Sequence, residues 1–317
     1  MKIFFLILFA WAWTMPSAAQ EKDYALVNVS VCNTRAEAEY SSGQESQALL
    51  GMPVRIVDRL REWTCVETPD HYVAWVLSGC ICPVDRNALS LWNQHPQLVV
   101  TSLYGTVYSR PSRHAQPVSD VVAGNRLLLL GKRGRYYHVE YPDGRQGYLP
   151  AADGSPLEQW RRRLDNSPEA ILATALRLVG TPYMWGGTST KGVDCSGFVR
   201  TVLFMHDIVI PRNASQQALE GERIHIAPDF ANLQPGDLLF FGHTRADGTP
   251  RVVHVGFYMG DRMFIHSLGC VRVASFDPSH PLYDAYDHGR LLFAGRLLPH
   301  INENDRMFTT RFSPLYQ

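Results

Sequence analysis

The glycine-rich segment at residues 180–198 constrains the fold of this chain more than any other part of its sequence. It runs into Asp194-Cys195-Ser196-Gly197, after which apolar residues recur at helical spacing. Asp194 is a favourable N-cap, which predicts a helix with Cys195 in its first turn. The helix dipole and the free N–H groups of that turn favour a thiolate and can hold an oxyanion. We therefore predict that Cys195 is an exposed nucleophile; the alternative is a buried structural thiol.

A cysteine nucleophile needs a general base, and two histidines lie in adjacent predicted strands. Residues 252–258 alternate so that His254 points away from the apolar face, with Gly256 beside it leaving room. A three-residue loop at 259–261, or a bulge, would bring His266 next to His254 on the same face of the hairpin. A two-residue loop without a bulge would put the histidines on opposite faces. Two solvated histidines on a surface hairpin are the alternative interpretation.

Short strand patterns fill residues 25–85 and recur over residues 97–152, with turn residues between them. Segments 67–76 and 140–149 are alike, because each has a Pro-Asp turn and then an aromatic–aliphatic pair. This pattern is typical of a divergent tandem repeat of small β-barrels.

The rest of the chain begins with helical patterns. A polar helical connector is predicted at residues 157–164, followed by a helix with Ser167 as N-cap and Pro168 at its first position. This second helix is expected to end at Gly180, and its apolar stripe comprises Ile171, Leu172, Ala175, Leu176 and Val179. Strand patterns follow at 237–241, 252–259, 262–266 and 290–296. Helices followed by antiparallel strands predict an α+β domain.

The N-terminus has the pattern of a secretory signal peptide at residues 1–19. Lys2 lies near the start, Phe4 to Trp13 is an unbroken run of ten apolar residues, and Ser17-x-Ala19 suits cleavage before Gln20. Ten residues are too few to span a bilayer, which needs about 20. We predict export to the periplasm or the outside of the cell, with no membrane span after cleavage; an uncleaved anchor is the alternative. Lys plus Arg and Asp plus Glu both total 30, so the charge gives no reason to expect nucleic acid as a partner.

Four cysteines lie near one another in the sequence, namely Cys32, Cys65, Cys80 and Cys82. Disulfides can form in an exported protein, and four cysteines allow three pairings, which stay open. A zinc site is the competing interpretation, but Cys80 and Cys82 are too close in sequence for a usual zinc motif. Disulfides or free core thiols are therefore favoured.

As a set, these motifs resemble the NlpC family of papain-like cysteine peptidases, which act on bacterial peptidoglycan. The matching pieces occur in order over residues 167–298 and are Tyr183-x-Trp185-Gly-Gly, Asp194-Cys195-Ser196-Gly197, Pro211-Arg212 with Gln217, Gln234-Pro235-Gly236-Asp237-Leu238, His254-Val255-Gly256 and His266-Ser267. Segments 67–76 and 140–149 resemble bacterial SH3-like domains. The resemblance implies an α+β fold in which a papain-like domain, with helices packed on an antiparallel sheet, follows two SH3-like β-barrels. The implied domain boundaries are 20–90, 91–156 and 157–317.

The resemblance also implies roles for individual residues. Cys195 is the nucleophile and His254 is the general base, while His266 orients His254. The hydroxyl of Tyr183 helps to hold the oxyanion. No metal or other cofactor is implied, and we predict a monomer.

The whole architecture resembles the γ-D-glutamyl-L-diamino acid endopeptidases of the dipeptidyl-peptidase VI type. This implies cleavage between D-glutamate and meso-diaminopimelate or lysine in peptidoglycan stem peptides with a free N-terminal L-alanine, in cell-wall peptide turnover. In that group the first SH3-like domain supplies an aromatic residue and an acid that recognise the free amine. Tyr72 is the candidate aromatic residue, whereas Glu37, Glu39 and Glu45 compete as the acid.

Further substrate contacts are implied at Asp194, Ser196 and Arg212. A serine that some members have two positions after the arginine is absent here, and Ser215 is the candidate substitute. Trp185 either lines the pocket or packs behind the helix.

Three other functions stay open at this point. The protein could cleave intact, glycan-attached stem peptides, with the SH3-like domains as wall anchors. It could be an amidase at the muramoyl–L-alanine bond. It could also be a wall-binding protein whose enzymatic domain is inactive.

Overall fold

The computed structural model of this protein describes residues 22–317. The predicted signal peptide at residues 1–19 therefore lies outside the described residues. No helix in residues 22–317 combines the length and the apolar character that crossing a membrane would require.

The first part of the described chain forms a seven-stranded antiparallel sheet. Its strands are β1 (Tyr24–Val27), β2 (Val31–Arg35), β3 (Gln44–Leu49), β4 (Pro53–Leu60), β5 (Trp63–Glu67), β6 (Val73–Leu77) and β7 (Ile81–Val84). Their order across the sheet is β3-β2-β6-β5-β4-β1-β7. Buried side chains from these strands, such as Val54, Val66 and Val76, form one apolar core. Helix α1 (Arg86–Gln94), which sequence reasoning missed, follows this sheet.

A second seven-stranded antiparallel sheet follows α1. Its strands are β8 (Gln97–Val100), β9 (Tyr104–Tyr108), β10 (Pro117–Val122), β11 (Arg126–Arg133), β12 (Tyr136–Glu140), β13 (Gln146–Pro150) and β14 (Gly154–Pro156). Their order is β10-β9-β13-β12-β11-β8-β14, which is the order of the first sheet with each number raised by seven. The two halves therefore share one topology, as expected for a tandem repeat.

The remaining residues combine helices with a six-stranded antiparallel sheet. The helices are α2 (Leu157–Arg163), α3 (Pro168–Leu176), α4 (Cys195–Phe204), α5 (Ala214–Gln217) and α6 (Ala285–His288). The strands are β15 (Thr188–Ser189), β16 (Gly192–Val193), β17 (Ile208–Val209), β18 (Glu222–Ile224), β19 (Leu238–Thr244), β20 (Pro250–Gly260), β21 (Met263–Leu268), β22 (Cys270–Ser275), β23 (Leu291–Arg296) and β24 (Phe308–Thr309). The six-stranded sheet has the order β18-β23-β19-β20-β21-β22, and α4 packs against β20 and β21.

Helix α3 differs in part from its sequence pattern. Ser167 caps it as predicted, because its side chain accepts a hydrogen bond from the N–H of Ala170. The helix ends at Leu176 rather than at Gly180, so the 3.6-residue period stops there. Leu176 and Val179, which the predicted stripe placed in the core, are 44% and 52% exposed.

The hairpin that carries both histidines has a two-residue turn and a bulge. Asp261 and Arg262 form the turn, both with positive φ, and Gly260 pairs with Met263. A bulge at Met259 then shifts the register, so that His266 lies opposite Gly256. The three-residue loop was therefore the wrong expectation, whereas the bulge was the right one. The bulge restores the alternation that puts both histidines on the same face of the sheet.

Cys32 and Cys80 are neighbours in the core of the first sheet. Cys80 packs against the buried cluster that contains Cys32, and both cysteines are free thiols. The interaction between the two thiols raises the pKa of Cys32 and lowers that of Cys80 to about 7. Cys65 and Cys82 lie elsewhere, with the sulfur of Cys82 3.4 Å from the carbonyl oxygen of Pro142. Of the three pairings left open above, proximity favours the one that joins Cys32 to Cys80.

Candidate active site

Helix α4 places Cys195 at its first position, as predicted. Asp194 is the N-cap, and its Oδ1 accepts a hydrogen bond of 2.7 Å from the N–H of Gly197. A Cβ on Gly197 would lie 1.9 Å from the carbonyl oxygen of Gly187, so only glycine allows this close approach. The glycine-rich segment therefore packs directly against the first turn of the helix that carries Cys195.

The thiol of Cys195 is buried among apolar side chains. Burial and the charge of Asp194 raise its pKa to about 11, although the N–H groups of Ser196 and Val255 point to the sulfur and oppose this shift. The increase in pKa that desolvation of the thiolate causes thus exceeds the decrease that the helix N-terminus causes. Near pH 7 Cys195 is therefore a neutral thiol, contrary to the expectation of an exposed thiolate.

His254 and His266 are hydrogen-bonded to each other. Nε2 of His254 lies 2.9 Å from Nδ1 of His266, and both side chains are buried. Gly256 makes this possible, because a Cβ there would lie 2.9 Å from Cβ of His266. Burial and the neighbouring His266 lower the pKa of His254 to about 3, so its imidazole is neutral near pH 7 and available as a base. The pair is not a set of solvated surface residues.

A fourth residue, Asp287, belongs to this group and was missed in the sequence. It lies on α6, is fully buried, and places Oδ2 3.2 Å from Nδ1 of His266. Its other oxygen accepts a hydrogen bond of 2.7 Å from Nε of Arg290. No short motif marks Asp287, because its contact with His266 depends on how a four-residue helix returns to the sheet.

Tyr183 lies beside the thiol, where the resemblance placed an oxyanion donor. Burial and the proximity of Cys195 and Asp194 raise the pKa of its hydroxyl to about 12. The group is therefore protonated at neutral pH and able to donate a hydrogen bond. Together with the N–H groups near the sulfur, it can stabilise negative charge that develops on a carbonyl oxygen.

The first sheet contributes an acid and an aromatic residue to the same site. The hydroxyl of Tyr72 donates a hydrogen bond of 2.5 Å to Oε2 of Glu45. The backbone oxygen of Glu45 accepts one of 3.0 Å from Nε of Arg212. Glu37 and Glu39 are exposed and make no contact with Tyr72. Of the three competing acids, the structure brings Glu45 to Tyr72.

Arg212 joins this pair to the helix that carries Cys195. Its guanidinium binds Oδ2 of Asp194 at 2.5 Å and donates to Oγ of Ser196 at 3.0 Å. All three side chains are buried, and each ionised group is paired. Tyr72, Glu45, Arg212, Asp194 and Ser196 thus form one connected polar cluster beside Cys195.

Two predicted substrate contacts lie outside this polar cluster. Ser215 is exposed on α5 and takes no part in the hydrogen bonds of the polar cluster. Trp185 is 71% exposed, which excludes packing behind the helix and leaves its ring at the surface next to the glycine-rich segment.

Buried polar contacts join the first sheet to α4 and to the strand β15 that precedes it. Arg200 of α4 binds Asp70 at 2.6 Å and donates to Oγ of Ser46 at 3.1 Å. Gln47 and Thr188 exchange hydrogen bonds, one of them 2.9 Å from the N–H of Thr188 to the side-chain oxygen of Gln47. These contacts fix strand β3, and hence Glu45, relative to Cys195.

One group of side chains in residues 22–317 could hold a metal ion, namely His254, His266 and Asp287, whose ligand atoms lie within 4.8 Å of one another. The guanidinium groups of Arg272 and Arg290 adjoin this group and would repel a cation.

The arrangement suits attack on an amide. A neutral thiol lies at a helix N-terminus, a buried neutral imidazole is positioned by a second imidazole, and hydroxyl and N–H donors surround the sulfur. These are the elements of nucleophilic acyl transfer with a general base and an oxyanion site. The polar cluster next to them can bind a charged, peptide-like substrate.

The raised pKa of Cys195 predicts how this thiol reacts with an alkylating agent. Below pH 11 the thiolate fraction grows about tenfold for each pH unit. The rate at which iodoacetamide modifies Cys195 should therefore rise without a plateau between pH 6 and pH 10. Mass spectrometry of the Cys195 peptide separates this thiol from the other five. A pH-independent rate near neutrality would instead indicate a preformed thiolate–imidazolium pair and contradict the prediction.

This chain is similar to known proteins of one family. The model of the NlpC/P60 family matches residues 180–289, and that of the bacterial dipeptidyl-peptidase SH3 domain matches residues 34–79. A γ-D-glutamyl-L-lysine dipeptidyl-peptidase of Bacillus cereus is 31% identical over 265 residues, covering 81% of this chain and 73% of that protein. Dipeptidyl-peptidase 6 of Lysinibacillus sphaericus is 30% identical over 274 residues, covering 82% and 94%. A crystal structure of an NlpC/P60 family protein from Bacillus cereus is similar with a TM-score of 0.72 and 25% identity, covering 87% of this chain and all of that one.

Proposed function

Because this chain belongs to the NlpC/P60 family of cysteine peptidases and carries a bacterial dipeptidyl-peptidase SH3 domain, we propose that it is an exported endopeptidase of cell-wall peptide turnover. It hydrolyses the bond between γ-D-glutamate and the diamino acid in stem peptides with a free N-terminal L-alanine. Two relatives named as dipeptidyl-peptidases, at about the same identity over most of both chains, support this substrate class.

The contact between Tyr72 and Glu45 carries the proposal. It puts a carboxylate of the first sheet in the polar cluster beside Cys195, and we infer that the amino end of the substrate binds to this carboxylate. A carboxylate and a phenol oxygen can both accept hydrogen bonds from an ammonium group. A carboxylate at this position favours a free amine over a stem peptide whose amine is still attached to glycan.

In the proposed reaction the neutral thiol of Cys195 loses its proton to His254 as it attacks the carbonyl carbon of the γ-D-glutamyl bond. Tyr183 and the neighbouring N–H groups stabilise the oxyanion. His254 then protonates the leaving amine of the diamino acid, and water releases the L-alanyl-γ-D-glutamate dipeptide. Arg212, Asp194 and Ser196 bind the polar groups of that dipeptide.

The proposed domain organisation follows the two sheets. We assign residues 1–19 to a signal peptide, 20–90 and 91–156 to two SH3-like domains, and 157–317 to the peptidase domain. The identical strand order of the two seven-stranded sheets supports a second SH3-like domain. Export, to the periplasm or the cell exterior, rests on the N-terminal pattern, and the protein acts as a monomer.

The test compares two substrates by mass spectrometry. The purified protein is incubated with L-alanyl-γ-D-glutamyl-diaminopimelate and with the same peptide whose alanine amine carries a muramoyl group. We expect cleavage of the free peptide only. Equal cleavage of both would contradict recognition of the amine and favour remodelling of intact stem peptides, and cleavage of neither would leave a wall-binding protein without activity.

A further inference from the structure

Asp287 lies next to the histidine pair but has no role in the reaction proposed above. Its side chain is fully buried on α6, between β22 and β23. Oδ1 accepts a hydrogen bond of 2.7 Å from Nε of Arg290. Among residues 22–317, Oδ2 has no hydrogen-bond partner other than His266, which it faces. One oxygen of Asp287 is thus held by an arginine, and the other points at the histidine pair.

The carboxyl of Asp287 is ionised throughout the neutral range. Burial alone would raise its pKa, but the contact with His266 and the charges of the histidines and Arg290 lower it to about 2. A buried carboxylate that faces an imidazole stabilises the protonated form of that imidazole. Asp287 accordingly raises the pKa of His254, against the effect of burial.

The positive charge that forms during the reaction lies one imidazole away from the carboxylate of Asp287. When His254 takes the proton of Cys195, charge develops on a buried imidazole that contacts His266 at 2.9 Å. Arg272, whose Nε lies 3.3 Å from Nε2 of His266, and Arg290 both oppose this charge. Asp284 is engaged with Arg272 at 2.8 Å. Asp287 is therefore the carboxylate placed to stabilise the protonated pair.

We propose that Asp287 is a positioning residue that acts through His266: it holds the second imidazole against His254 and stabilises the charge that His254 acquires. This inference rests on the proposed roles of Cys195, His254 and His266. Asp287 touches neither substrate nor Cys195, so its loss affects the chemical step and not substrate binding. The arrangement extends the cysteine–histidine–histidine series by a buried carboxylate, much as an acid supports the histidine of other triads.

The test is a double-mutant cycle on the full-length protein, with Asp287→Asn, His266→Asn and the double variant, assayed on the free tripeptide. Asp287→Asn should lower kcat about 10- to 100-fold, less than the roughly 10⁴-fold found when a carboxylate in direct contact with a catalytic base is lost. KM should stay within about twofold. In the His266→Asn background, Asp287→Asn should lower kcat less than about threefold, because the imidazole through which Asp287 acts on His254 is absent.

Asp237→Asn is the matched control for a structural effect. Asp237 is a buried aspartate of the peptidase domain paired with Arg296 at 2.8 Å, and it does not contact the histidines. We expect Asp237→Asn to lower Tm while leaving kcat within about twofold. Equal losses of kcat from Asp287→Asn in both backgrounds, or a loss matched by Asp237→Asn, would overturn the inference.

A second variant covers the case in which Asp287→Asn does not fold. Asp284 accepts a hydrogen bond of 3.0 Å from the N–H of Asp287 and caps α6. Asp284→Ala should release Asp287 from His266 and lower kcat with KM unchanged; an unchanged kcat would contradict the proposal. If the parent protein cleaves no stem peptide, the proposed function fails; if the parent is active and these variants keep its kcat, only the role of Asp287 fails.

Discussion

Replacing Cys195 with alanine is expected to abolish turnover, with a loss of at least about 10⁴-fold in kcat. The substitution removes the sulfur that attacks the carbonyl and leaves His254 without a nucleophile to activate. The fold should be retained, because alanine at this position keeps the helix and removes only one buried sulfur atom. The measurement is the release of the diamino acid from the free tripeptide, with Tm determined in parallel.

Cys270→Ala is the matched control for this prediction. Cys270 is a half-buried thiol in β22 of the same part of the chain and does not adjoin His254. Its replacement should leave kcat within about twofold. Activity that survives in Cys195→Ala, or that disappears equally in Cys270→Ala, would show that the nucleophile has been misassigned.

The second large effect is expected from Glu45→Gln. The substitution keeps the shape of the side chain but removes the charge that would meet the ammonium group of the substrate. Hydrogen bonds to charged groups contribute about 1.5–3 kcal/mol, so kcat/KM for the free tripeptide should fall by about 10- to 150-fold. Steady-state kinetics on the free tripeptide measure this loss. Tyr72→Phe, which removes only the hydroxyl, should have a smaller effect.

The two other acids supply the controls for Glu45. Glu37→Gln and Glu39→Gln change exposed carboxylates of the same segment and should leave kcat/KM within about twofold. The muramoyl-blocked peptide has no ammonium group, so any slow cleavage of it should not respond to Glu45→Gln. A selective loss at Glu37 or Glu39, or an equal loss on both substrates for Glu45→Gln, would refute the assignment.

The specificity that we propose depends on how firmly the first sheet is attached to the helix of Cys195. Arg200 and Asp70 form a buried ion pair at 2.6 Å, and Asp70 is two residues before Tyr72. Removing one partner of such a pair leaves a buried charge uncompensated, which is strongly destabilising. The ion pair therefore holds Tyr72 and Glu45 at a fixed distance from the reacting thiol.

Local signals explain why much of this protein could be predicted. The N-cap at Asp194 and the helix behind it depend on neighbouring residues, and the structure has both. The alternation around His254 likewise placed its side chain away from the apolar face, and a bulge at Met259 puts His266 on the same face. The tandem repeat appeared as two similar hairpins, and the two sheets have the same strand order. In each case the interaction that decides the conformation lies within a few residues of the pattern.

Other features depended on contacts that the sequence pattern does not contain. The pKa of Cys195 is decided by burial, which reflects the packing of whole elements around it. Glu45, rather than Glu37 or Glu39, contacts Tyr72 because of how β3 packs near α4. Asp287 contacts His266 only because α6 folds back onto the sheet.

The sequence by itself thus indicated the family and a fold of mixed helices and strands, and it proposed Cys195 and His254 as the reacting pair, because these inferences follow from local spacing and short-range capping. Only the tertiary structure decided which acid meets Tyr72, whether the thiol is charged and which carboxylate faces His266. Those outcomes depend on distances between residues far apart in the chain and on the loss of water around them, and neither is encoded in local periodicity.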